Sequence, residues 1–113
     1  MIQLTHLGRR AHWGKADWLP TLAPSGIREA AHRGHPKQAE DWDVERIIKD
    51  YADAAERMKA GGMDGIEIES YGHLFDQWWS PITNKRADEF GGCLEKRMTV
   101  PMMILQAVRD RVG

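Results

Sequence analysis

An α/β fold built on a parallel sheet is predicted by three features of this sequence. Two short strand patterns, over residues 2–6 and 63–68, each end in a turn. Two apolar stripes at helical spacing also occur, one after each strand. The resulting order is strand, loop, helix, strand, loop, helix. It argues for βαβ units, in which a helix carries the chain back so that the next strand runs parallel to the last.

Each element has a local reason. Ile2-Gln3-Leu4-Thr5-His6 alternates apolar and polar residues, then meets Gly8, as a strand running into a turn should. From Arg9 to Glu40 no period persists, and Pro20, Pro24, Gly26, Gly34 and Pro36 mark a long loop, a length that usually means a functional loop or elements the pattern does not reveal. Val44, Ile47, Ile48, Tyr51, Ala55 and Met58 then form one helical stripe. Asp41 or Asp43 is expected to cap its start, and Gly61-Gly62 to end it. The second strand is Met63-Asp64-Gly65-Ile66-Glu67-Ile68. Residues 70–93 read as a second irregular stretch. Leu94, Met98, Met102, Leu105 and Val108 or Val112 form the last helical stripe, with Arg109 and Arg111 suited to a helix C-terminus. Pro101 predicts a kink or a break into two helices. Two parallel strands do not make a stable sheet, because such sheets are buried on both faces. With 113 residues ending just after a helix, the chain is expected to be a fragment of a larger domain.

Composition narrows the function. Sixteen Lys and Arg against 17 Asp and Glu leave no basic footprint for nucleic acid and no polybasic membrane anchor. No apolar run reaches the length of a membrane-spanning helix, and no signal-peptide core is seen, so a cytoplasmic location is expected. Cys93 is the only cysteine, which excludes an internal disulfide and a cysteine-ligated cluster in this segment. His32 and His35 lack an evident third ligand, so no metal site is expected. The five tryptophans fit either core packing or a flat aromatic ligand.

Four motifs then appear in order. Gln3-Leu4-Thr5-His6-Leu7-Gly8-Arg9 resembles the Q-L-x-H-x-G-R strand of the old yellow enzyme, or NADH:flavin oxidoreductase, family. Gly62-Met63-Asp64-Gly65-Ile66-Glu67-Ile68 resembles its G-x-D-G-x-E-I strand, and Asp76-Gln77-Trp78-Trp79-Ser80-Pro81 its D-Q-F-L-S-P segment. Asn84, Arg86, Asp88, Gly91, Gly92, Glu95 and Arg97 follow N-x-R-x-D-x-Y/F-G-G-x-x-E-N-R, with Lys96 in place of Asn. The resemblance implies a partial (β/α)₈ TIM barrel, about strands 3–4 and helices 3–4, with residues 1–113 an internal fragment of one FMN-binding domain. A whole barrel takes about 250 residues.

The same resemblance implies roles. Gln3 matches the amide that hydrogen-bonds the flavin pyrimidine edge; by itself it is an ordinary polar strand residue. Arg97 matches an arginine near flavin N1 and O2, where a fixed cation stabilises reduced flavin; otherwise it is a solvated helix arginine. His6 either lines the site or orders its loop. Asn84, Arg86 and Asp88 are expected to tie down the long loop, and Cys93 is assigned no role. At the end of the second strand the pattern departs. Ene reductases of the family carry H-x-x-N or H-x-x-H followed by G-Y, whereas this chain reads Glu69-Ser70-Tyr71-Gly72-His73, one residue shorter. Glu69 falls where the first histidine stands, with Tyr71 and His73 available for the second donor and the tyrosine.

An ene reductase needs donors for a developing oxyanion, and an ionised carboxylate has none. A carboxylate instead suits a methylated ammonium. The expected function is therefore FMN-dependent oxidative N-demethylation of a methylated amine or amino acid, as in trimethylamine-dehydrogenase-like enzymes and related demethylases. The alternatives are an NAD(P)H-dependent ene or dienoyl-CoA reductase, and an inert truncated product. The partner is a small-molecule substrate. NAD(P)H as second cofactor, an iron–sulfur cluster outside this segment and a homo-oligomer of the full-length protein are all compatible with the resemblance.

Overall fold

The computed structural model describes residues 1–11 and 20–113. Its elements are β1 (Ile2–Leu4), a 3₁₀ turn (Gly8–Arg10), β2 (Leu22–Ala23), β3 (Lys37–Gln38), α1 (Asp41–Ala60), β4 (Ile66–Ile68), α2 (Leu74–Trp79), α3 (Leu94–Arg97) and α4 (Thr99–Val112). β1 and β4 pair in parallel, with Ile2 opposite Ile66, Gln3 opposite Glu67 and Leu4 opposite Ile68. The expected parallel βαβ unit is thus present, with α1 as its crossover.

The core lies between α1, α4 and one side of this strand pair. Val44, Ile47, Tyr51, Ala52 and Ala55 face it from α1, as their spacing predicts, and Val100, Ile104 and Val108 from α4. Leu4, Ile66 and Ile68 pack onto the same cluster. Because strand side chains alternate, Gln3 and Glu67 stand on the opposite, exposed face. In a closed barrel that face is the interior.

Several local expectations are corrected. Glu40 is the N-cap of α1, and Asp43, at the third helical position, completes a capping box with it. The Asp43 carboxylate accepts a hydrogen bond from the Glu40 backbone N–H at 3.0 Å and pairs with Lys37 at 2.7 Å. Burial pushes the Asp43 carboxyl up, but these donors outweigh it and hold it below the usual value. The helical break precedes Pro101: α3 ends at Arg97, Met98 bridges, and the proline lies in the first turn of α4, where its missing N–H costs nothing. The buried stripe of α4 is Val100, Ile104 and Val108, so Met102 and Leu105 are exposed. Met98, Pro101, Leu105, Val108 and Val112 instead line an open apolar groove beside Ile66 and Ile68 of β4.

The irregular stretches hold unpredicted structure. β2 and β3 form a small parallel pair inside the first. Arg86 fastens that region by donating to the carbonyls of Pro24 (3.1 Å) and Ala39 (2.6 Å) and to Asp88. Asn84 donates to the carbonyls of Trp78 and Phe90, both at 2.8 Å. These residues tie down the loop, as expected. The second stretch contains α2, whose Leu74, Phe75 and Trp78 enter the core.

Candidate functional site

Both strands deliver their C-terminal ends to one edge, the edge where barrel enzymes place their sites. The chain leaves β1 through Thr5-His6-Leu7 and leaves β4 through Glu69-Ser70-Tyr71-Gly72-His73. The Glu69 N–H donates to the Leu4 carbonyl, and the Leu74 N–H to the His6 carbonyl, each at 2.9 Å. The Thr5 hydroxyl and His73 Nδ1 are hydrogen-bonded at 2.9 Å. The two segments therefore form one surface and not two separate loops.

Gln77 locks that surface from below. It is 2% exposed. Its Oε1 accepts from the Arg9 N–H at 2.9 Å, and its Nε2 donates to the Leu7 carbonyl at 3.0 Å and the Gly72 carbonyl at 3.4 Å. One side chain on α2 thus holds the turns following both strands. The first turn requires glycine, because Gly8 has φ +60° and any Cβ there would run into the Gln77 amide.

The sequence-predicted residues separate into two groups. Glu69, Tyr71 and His73 come together on one turn, with Gln3 one layer below on β1. Glu69 is half-buried, and its Oε1 accepts the Tyr71 N–H at 2.9 Å. Tyr71 itself is 86% exposed. His6 orders its loop by accepting the Gly8 N–H on Nδ1 at 2.9 Å. Burial, aided by the Arg46 charge, holds its imidazole below the usual 6.5. Arg97 stands apart. Its Nε donates to the Trp79 carbonyl at 2.5 Å and its Nη1 to the Gly92 carbonyl. With those donors engaged it fastens the turn leading into α3, and this geometry lends no support to the expected flavin contact.

Two neighbours were passed over in the sequence. Glu67 lies beside Gln3 on the open face, which the alternation of the second strand already implied. Arg10 reaches over Gly72: a Cβ on that glycine would lie 2.9 Å from Arg10 Nη1. No sequence signal marks that contact, since 62 residues separate the two.

A parallel β-α-β-α unit whose polar turns gather at one strand edge has the architecture of a segment of a (β/α)₈ barrel. The chain belongs to the NADH:flavin oxidoreductase / NADH oxidase family, whose model matches residues 1–113. It is 65% identical over 113 residues to a probable N-methylproline demethylase of Rhizobium meliloti (strain 1021), covering 100% of this chain and 17% of the relative. It is 50% identical over 114 residues to the N,N-dimethylglycine/sarcosine dehydrogenase of Chromohalobacter salexigens, covering 100% of this chain and 16% of that one. A solved structure of morphinone reductase in complex with tetrahydroNAD superimposes with a TM-score of 0.92 at 28% identity, over 98% of this chain and 35% of that one. The fold is accordingly a partial TIM barrel, and the chain spans about a sixth of the length of these curated relatives. Among the described residues, no helix is long and apolar enough to cross a membrane.

Proposed function

We propose that this chain is an internal segment of an FMN-dependent barrel oxidoreductase that removes a methyl group oxidatively from an amine nitrogen of a small-molecule substrate. The observation that carries the reading is Glu69. Its carboxylate closes the end of β4, half-buried and steadied by the Tyr71 N–H, at the edge where the substrate would meet the cofactor.

The open face of the strand pair fits a flavin. Gln3 presents an amide with both donors and an acceptor, and among the described residues it is not engaged elsewhere. Gln3 would hold the pyrimidine edge through that amide. Bound FMN supplies the acceptor for the two electrons and two protons that leave when R₂N–CH₃ and water become R₂NH and formaldehyde. Glu69 attracts the methylated ammonium; once the nitrogen has given up its proton, hydride departs from the methyl carbon and Glu69 stabilises the positive charge of the iminium that forms. His73, steadied by Thr5, and Tyr71 flank that position and exchange protons with the nitrogen and the attacking water. The demethylase and dehydrogenase names of the two relatives support this class of reaction.

The test is anaerobic bleaching of the flavin in the full-length protein carrying this segment. N-methylated amines or amino acids are expected to bleach it. Rapid oxidation of the NADPH-reduced protein by cyclohexenone, with no bleaching by any methylated amine, would leave the ene-reductase reading in its place.

A further inference from the structure

We infer that Arg10 is a specificity residue that binds a carboxylate on the substrate, so that the substrate is a zwitterionic N-methylated amino acid and not a simple methylated amine. The inference rests on the demethylase reading of Glu69 and adds the second charge.

The 3₁₀ turn sets two arginines on different courses. Arg9 is partly buried and donates from Nη1 to the Arg28 carbonyl at 3.2 Å. Arg10 places its Nη1 beside Gly72, 2.9 Å from where a Cβ on that glycine would stand. Gly72 has φ +67°, a left-handed turn that glycine takes without strain, and it leaves the space beside it open to the guanidinium. Arg10 is exposed, and among the described residues its guanidinium makes no hydrogen bond or ion pair. A planar fork of donors beside this turn, with no protein acceptor among the described residues, is suited to a ligand carboxylate.

The second charge stands beside it. Glu69 accepts from the Tyr71 N–H, and Arg10 Nη1 lies beside Gly72, the next residue along, whose Cα is about 3.8 Å from that of Tyr71. Yet Glu69 and Arg10 do not pair with each other among the described residues. An anion and a cation set at one turn but not paired with each other match, with opposite signs, the ammonium and carboxylate of an α-amino acid, which are joined through one carbon. A methylated amine without a carboxylate would leave Arg10 unmatched, a loss of roughly tenfold or more in kcat/KM.

The experiment compares N-methylproline with N-methylpyrrolidine, the same ring without its carboxylate, on the FMN-loaded full-length protein and its Arg10→Met and Arg10→Lys variants. The wild type is expected to favour N-methylproline by about tenfold or more, mostly through KM, with that preference largely lost in Arg10→Met and partly kept in Arg10→Lys. Cyclopentanecarboxylate, which carries the carboxylate alone, is expected to compete with N-methylproline on the wild type, a readout independent of how well the variants fold. Equal turnover of the two amines by the wild type, a preference unchanged in Arg10→Met, or no competition by cyclopentanecarboxylate would overturn the role of Arg10 and leave the demethylase reading intact. Bleaching by neither amine would remove both.

Discussion

The Gln77 carboxamide occupies the space that a side chain at position 8 would need, so the left-handed turn at Gly8 and the buried amide define each other. Replacing Gly8 by Ala brings two costs together: a left-handed backbone for an alanine and a methyl group driven into a packed amide. Their sum is about 2–5 kcal/mol. Gln77→Ala removes the partners of the Arg9 N–H and the Leu7 carbonyl, at about 1–3 kcal/mol for each group left unpaired and dry. Chemical denaturation of the full-length protein checks both. Midpoints equal to wild type would show that the clamp is not holding the turns.

Arg97 offers a measurement that separates two roles. If it fastens the turn through the carbonyls of Trp79 and Gly92, Arg97→Ala lowers stability while the flavin reduction potential stays where it was. If it faces the flavin, the potential falls, because a cation beside the reduced ring is gone. The geometry favours the first outcome, and a potentiometric titration alongside a thermal melt decides it.

How much of this was legible follows from the range of each interaction. Gln3, Glu69, Tyr71 and His73 are marked by the family resemblance, and their position on or next to β1 and β4 follows from an alternation that is local. The parallel pairing of β1 with β4 followed from element order alone. α2 was not visible, because Leu74–Trp79 is six residues long and too short to show a period. β2 and β3 are two residues each, below any pattern. Gln77 and Arg10 act on partners more than 60 positions away, and a motif match gives a residue's position without the carbonyls around it.

Asp88 supplies a pH dependence. The Arg86 guanidinium beside it, followed by the Phe90 N–H, holds its carboxyl below the usual 3.8 against the opposing effect of burial. The unfolded chain therefore binds a proton at Asp88 more readily than the folded chain does. The resulting stability is fully present above that ordinary value and is lost as pH falls through the lower folded one. Asp88→Asn should flatten the acid limb of a stability–pH curve below about pH 4. An unchanged limb would mean that the pair does not persist in solution.

The 113-residue chain alone is expected to lack cooperative folding. The β1–β4 pair has open edges, and the groove between Ile66, Ile68, Phe75, Trp79 and Leu105 is apolar and uncovered. Met102 is 54% exposed and Met103 44%. That much apolar surface left in water weakens the driving force that must offset chain entropy. Far-UV and near-UV circular dichroism should therefore report broad, non-coincident transitions. A single steep, coincident one for a monomer would contradict the expectation.

Glu69→Gln tests the charge itself while keeping the shape of the site. The amide oxygen can still accept the Tyr71 N–H, so the turn should hold and flavin content should match wild type. What disappears is the attraction for a methylated ammonium and for the iminium that succeeds it. At about 4 Å and an effective dielectric near 20, two unit charges attract by about 4 kcal/mol, an upper bound once the desolvation of both is counted. Charge-assisted hydrogen bonds contribute about 1.5–3 kcal/mol net, which corresponds to roughly 10- to 150-fold in kcat/KM. If Glu69 only gripped the ground state, the loss would fall on KM; stabilisation of the iminium predicts that kcat falls as well. Stopped-flow bleaching under anaerobic conditions yields both parameters. Rates within twofold of wild type, with flavin content intact, would exclude Glu69 from the chemistry.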